Sequence, residues 1–144
     1  MMTHLTSLDQ TQHFAQELLG QILDKSYPPL ILLSGDLGTG KTTFTQYIGQ
    51  AVGVDQPITS PTYTIRNTYS TPRDDYPLLI HMDLYRLQAA WEIHELDLLQ
   101  DSKTAITIVE WPEKASEIWQ TIPHIWLRLE APNSSERIIY TSTN

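Results

Sequence analysis

The sequence predicts an α/β fold: a mostly parallel central sheet flanked by helices, with antiparallel strands near the C-terminus. Three observations carry this. Short apolar runs recur at 30–34, from 78 to near Asp83, and at 105–111, as expected of strands buried on both faces. Segments of helical periodicity separate them. A glycine-rich turn joins the first run to the helix after it.

In chain order, SLDQTQHFAQELLGQILDK (7–25) predicts a first helix. Ser7 and Gln10 have the spacing of a capping box, and Asp9 suits the positive end of the helix dipole. Phe14, Leu18 and Ile22, with Ala15, Leu19 and Leu23, form its apolar face. SYPP breaks it, and LILLS is the first buried strand. In TTFTQYIGQAVGV, Phe44, Tyr47, Ile48, Ala51 and Val52 keep a helical spacing that Gly53 closes. Residues 56–70 are β-rich but interrupted by Pro57 and Pro61, which predicts a loop leading into a strand. A turn follows over 71–77, then the second buried strand ending near Asp83. QAAWEIHELDLLQD (88–101) predicts a helix, with Trp91, Ile93, Leu96, Leu98 and Leu99 as its apolar contacts. AITIVEW is the third buried strand; Pro112 ends it and opens a short helix over 112–122. HIWLRLEA alternates apolar and polar residues, and RIIYTS is a last strand. With no repeat or linker, residues 1–144 read as one domain.

Seventeen acids against nine basic residues give a net charge of −8, which argues against a broad electrostatic grip on nucleic acid. With no cysteine, disulfides and thiolate metal sites are excluded. His4, His13, His94 and His124 lack metal-ligand spacing, and His81 reads as structural. There is no basic-then-apolar leader and no apolar run near the ~18 residues of a membrane span. A soluble, cytoplasmic protein without membrane contact is expected.

The stretch from Gly35 to Thr42, GDLGTGKT, fits G-x-x-x-x-G-K-[ST] at every fixed position. Glycines let the backbone wrap closely and aim its N–H groups at phosphate oxygens. The following helix adds the positive end of its dipole. Lys41 would place a cation on the β- and γ-phosphates, the Thr42 hydroxyl would ligate Mg²⁺, and Thr43 would reach the α-phosphate region. The flanking apolar strand and amphipathic helix are the context this motif requires.

Such a loop needs a carboxylate for the magnesium shell, at the C-terminal end of a buried strand. Asp83 and Glu110 both stand in such a place, on the sheet edge that carries the loop. One would hold the metal shell; the other would orient or deprotonate the attacking water. In SPTYT (60–64), Thr62 and Thr64 are the hydroxyls suited to order against a γ-phosphate. Trp111, beside Glu110, reads by itself as a core aromatic.

GDLGTGKTTF, SPTYTIRNTY, HMDLYRL and EWPE, in that order, make the chain resemble the TsaE (YjeE) family from its first helix to RIIY. These are small P-loop ATPases needed for the threonylcarbamoyl-adenosine (t6A) modification of tRNA beside the anticodon. The resemblance implies a P-loop NTPase fold with ATP and Mg²⁺ as cofactors. Carried over by position, it implies that Gly38, Thr39, Gly40, Lys41, Thr42 and Thr43 bind the phosphates and that Thr42 and Glu110 hold Mg²⁺. Asp83 becomes the essential acid near the γ-phosphate, Thr62 the functional hydroxyl of a switch-like loop, and Trp111 a site neighbour. Arg137 and the segment around Thr11 would border the adenine. It further implies TsaB and TsaD as partners, with tRNA reached through that complex and ATP hydrolysis resetting it.

Two other functions use the same loop. A small-molecule P-loop kinase needs a lid carrying arginines, and five arginines spread along the chain with no long insertion do not supply one. An ATP-dependent binding switch that needs no hydrolysis would show the same residues. No N-K-x-D signature is present for guanine.

Overall fold

The computed structural model describes residues 1–61, 65–88 and 103–144. Its strands are β1 (Met2–Leu5), β2 (Leu30–Ser34), β3 (Arg66–Ser70), β4 (Leu78–Asp83), β5 (Ala105–Glu110), β6 (Ile125–Glu130) and β7 (Arg137–Thr143). Its helices are α1 (Leu8–Leu23), α2 (Lys41–Val52) and the single turn α3 (Ser116–Trp119), which continues a 3-10 turn over Pro112–Ala115. Among the described residues these strands form one sheet in the order β1-β7-β6-β2-β5-β4-β3.

The centre of the sheet, β6-β2-β5-β4, is parallel. Its flanks, β1-β7-β6 on one side and β3-β4 on the other, are antiparallel. Parallel pairing carries the C-terminal ends of β2, β4 and β5 to one edge, where Ser34, Asp83 and Glu110 emerge together.

Successive strand side chains point to opposite faces, so a strand buried on both faces must be apolar throughout. Ile31 and Leu33 of β2, Leu79 of β4, and Ile106 and Ile108 of β5 pack against Ala15, Leu18 and Ile22 of α1 and Phe44, Ile48 and Val52 of α2. The intervening Leu30, Leu32, Ile80, Met82, Ala105 and Val109 form the second layer, closed by Ile118 and Trp119. The Trp119 indole N–H donates to the Pro112 carbonyl at 2.8 Å, which gives this aromatic the polar partner a buried indole needs.

Local sequence sets the helix ends. Ser7 caps α1 by accepting from the Gln10 N–H at 3.2 Å. The return bond of the expected capping box is shifted by one residue: Gln10 Oε1 accepts from the Thr6 N–H at 2.8 Å. Gly53 takes a left-handed conformation, φ 100°, and donates to the Gly49 and Gln50 carbonyls to close α2.

Three expectations change. β1 was not anticipated; it is an edge strand held by antiparallel pairing to β7. The helix expected over 112–122 divides into a 3-10 turn and one α turn, because Ala115 leaves helical geometry, φ −140°, between them. The helix expected over 88–101 lies, apart from Gln88, outside the described residues, as does Thr62.

Candidate active site

The loop between Ser34 and Lys41 is shaped by contacts that only glycine tolerates. At Gly35, φ 143°, a Cβ would come within 2.5 Å of the Leu129 carbonyl oxygen. At Gly40, φ 96°, a Cβ would sit 3.3 Å from Arg137 Nε. Thr39 lies beneath the loop and closes it, its N–H and hydroxyl donating to the Asp36 carbonyl at 3.3 and 2.9 Å. Gly40 is the N-cap of α2 and offers no side-chain hydrogen bond, so the first-turn N–H groups have no side-chain cap.

Lys41 opens α2 and is buried, with 5% of its surface exposed. Its ammonium donates to the Gly35 and Asp36 carbonyls at 2.7 and 2.9 Å and lies 4.4 Å from the centre of the Trp111 ring. Burial pushes its pKa below the ordinary lysine value; Glu110, Glu113, Asp83 and Asp36 pull the other way and do not fully offset it.

Asp83 and Glu110 sit side by side in the parallel register of β4 and β5. Glu110 is almost fully buried. The Thr42 hydroxyl lies 3.2 Å from each of its carboxylate oxygens, and His81 Nε2 contacts Oε2. Asp83 is more open. Its Oδ2 accepts from the Ser60 hydroxyl at 3.0 Å and its Oδ1 from the Tyr85 N–H at 3.0 Å. The left-handed backbone of Trp111, rare for so large a residue, turns the chain sharply after β5 and lays the indole beside Lys41. Tyr85 supports that ring from 5.0 Å between centroids.

These groups surround a cleft of ≈ 400 Å³. Of the residues singled out in the sequence, Gly38, Gly40, Lys41, Thr42, Thr43, Asp83, Glu110, Trp111 and Arg137 line it together. Arg137 is steered by two bonds from its Nη1, to the Asn133 and Glu136 carbonyls at 3.1 and 2.8 Å. Thr11 does not line the cleft; it is buried, its hydroxyl 3.3 Å from the Ser7 carbonyl. Sequence reasoning did not single out Leu37, which also lines it, or the contact of His81 with Glu110. Ser60 stood inside the SPTYT motif, but the threonines were favoured over it.

A family model described as threonylcarbamoyl adenosine biosynthesis protein TsaE matches residues 5–139. The chain belongs to the TsaE family. Relatives bear the name tRNA threonylcarbamoyladenosine biosynthesis protein TsaE. One from Rickettsia bellii is 34% identical over 137 residues, covering 94% of this chain and 90% of its own. One from Synechocystis is 37% identical over 122 residues, covering 79% and 71%. One from Mycobacterium tuberculosis is 36% identical over 118 residues, covering 78% and 70%. Among solved structures, YdiB from Bacillus superposes with a TM-score of 0.66 over 100% of this chain and 86% of its own, at 24% identity, a likeness of fold. The TsaE architecture here is the P-loop α/β fold expected from the sequence. Among the described residues no helix is long and apolar enough to cross a membrane.

Proposed function

We propose that the chain is a single-domain, cytoplasmic P-loop ATPase that acts in t6A modification of tRNA, working on a complex of TsaB and TsaD. The observation that carries this is one cleft joining a buried loop lysine, Lys41, to the Thr42–Glu110 pair, in a member of the TsaE family.

The residues present fit the expected ligands. A helix start with no side-chain cap at the cleft suits phosphate. Thr42 and Glu110 supply a hydroxyl and a carboxylate, the hard oxygen donors Mg²⁺ takes when phosphates and water complete its shell. The chemistry supplied by bound Mg²⁺ is neutralisation of charge on the β- and γ-phosphates.

The chain's own groups do the rest. Lys41 leaves the Gly35 and Asp36 carbonyls for the phosphate oxygens, a charge-assisted contact in a low-dielectric pocket. Gly38, Thr39, Gly40, Thr42 and Thr43 place the loop and first-turn N–H groups around the phosphates. Asp83, the more open of the two acids, accepts a hydrogen bond from the attacking water and orients it toward the γ-phosphorus. Ser60, whose hydroxyl donates to Asp83 Oδ2 at 3.0 Å, stands beside that acid, and Thr62 of the same motif is the hydroxyl assigned to the switch-like loop. Arg137 and Trp111 line the same cleft. The net charge of −8 suits a chain that meets a protein complex and leaves tRNA binding to it.

Reconstitution with TsaB, TsaD and tRNA from the same source tests this. Sustained t6A formation should need this chain and ATP, and Lys41→Ala should abolish it. Full modification without the chain, or with the variant, contradicts the reading.

A further inference from the structure

His81 is fully buried in β4, on the face that packs against α2, and its buried strand neighbours Leu79, Ile80 and Met82 are all apolar. Among the described residues its Nδ1 has no hydrogen-bond partner, although the ring is wholly buried. A buried polar atom without a partner destabilises a fold. Packing alone therefore does not explain an imidazole here; a leucine would fill the space without that cost.

The bond the ring makes among the described residues does explain it. His81 Nε2 meets Glu110 Oε2, and Thr42 Oγ1 meets the same carboxylate from α2 at 3.2 Å. The parallel register sets His81 opposite Ile108, so Glu110 lies two residues further along on the same face. Glu110 is thus held between β4 and the first turn of α2. Side chains that hold a metal-binding carboxylate by its second oxygen fix its direction and commonly affect metal affinity 10- to 100-fold.

We propose that His81 is a positioning residue: its Nε2–H holds Glu110 Oε2 so that the carboxylate faces Thr42 and the magnesium of a bound nucleotide. This rests on the reading of Thr42 and Glu110 as the magnesium shell. In this arrangement the hydrogen sits on Nε2 and Nδ1 is bare.

The test compares His81→Gln with His81→Asn by titrating Mg²⁺ against ATP binding. Both are neutral amides. Glutamine places its N–H₂ near the Nε2 position and reaches Glu110, whereas asparagine falls short. The asparagine variant should need about 10-fold more Mg²⁺ for half-maximal enhancement of ATP binding, the glutamine variant should stay within about threefold of the native chain, and ATP affinity in EDTA should be the same in all three. Equal magnesium midpoints for the two variants overturn the role of His81. An ¹⁵N spectrum of the native chain gives an independent reading that no folding defect can disturb. Hydrogen on Nε2 of His81 is expected, and hydrogen on Nδ1 with Nε2 bare overturns the proposal. If the native chain itself binds ATP equally with and without Mg²⁺, the magnesium reading of Thr42 and Glu110 falls instead.

Discussion

Asp83 and Glu110 stand directly opposite each other in the β4–β5 register, yet they face different partners. Glu110 is locked between Thr42 and His81, whereas Asp83 is reached by the Ser60 hydroxyl and the Tyr85 N–H. Two adjacent carboxylates with separate hydrogen-bond sets can serve separate steps, and this division makes their variants distinguishable.

Asp83→Ala should bind ATP about as well as the native chain and lose turnover by roughly 100- to 10,000-fold, the range for removing a positioned acid–base group. Calorimetric titration beside a phosphate-release assay separates the two quantities. A variant that binds no ATP assigns Asp83 to the metal or to structure.

Glu110→Ala should shift the magnesium dependence of ATP binding upward by at least about 10-fold and also lower stability. Removing the acid leaves His81 buried without its partner, a loss of about 1–3 kcal/mol. Magnesium titration and urea denaturation report the two effects. An unaltered metal midpoint removes Glu110 from the magnesium shell.

Lys41→Ala should weaken ATP binding by roughly 30- to 1,000-fold, the equivalent of about 2–4 kcal/mol for lost charge-assisted contacts, with the fold retained. The pH dependence of stability carries a second signature. Burial lowers the folded pKa of Lys41, so between that value and the ordinary lysine value the unfolded chain binds more protons and native stability rises with pH. Lys41→Met cannot titrate. The stability of the native chain relative to Lys41→Met should therefore improve as pH climbs toward the ordinary lysine value of 10.5. A difference that stays flat, or moves the other way, contradicts a lysine held down by burial.

Gly49 shows how the P-loop helix positions the Ser60 loop. A Cβ there would collide with Ile58 Cδ1 and lie 3.5 Å from Leu79 Cδ2, and Gln46 Nε2 holds the Ile58 carbonyl at 2.9 Å. Gly49→Ala should destabilise by about 1–2 kcal/mol, overpacking outweighing the helix-propensity gain of roughly 1 kcal/mol. Ile58→Val removes the colliding carbon. In that background Gly49→Ala should be neutral or stabilising, a coupling of about 1 kcal/mol or more. Strict additivity of the two changes would disprove the contact.

Much of this was legible in the sequence because the signals are local. The glycine loop, the runs behind β2, β4 and β5, and the faces of α1 and α2 are each written within a dozen or so residues. Asp83 and Glu110 were legible as acids ending buried strands. The misses are non-local. β1 has four residues with a mostly exposed pattern and gains its structure from β7, far along the chain. The contact of His81 with Glu110 depends on the β4–β5 register, which no short window contains. The Ser60 hydroxyl meets Asp83 across 23 residues of sequence, a contact that hydroxyl spacing alone does not reveal. The sharp turn at Trp111 after β5 reflects a left-handed backbone that residue type disfavours.

The most direct measurement is ATP hydrolysis by the purified chain, alone and with the TsaB–TsaD pair from the same source. Slow hydrolysis alone that rises when the pair is added is expected of a partner-gated ATPase. Equal rates in both conditions, with stimulation only by a small phosphoryl acceptor, would contradict that reading and mark the chain as a kinase.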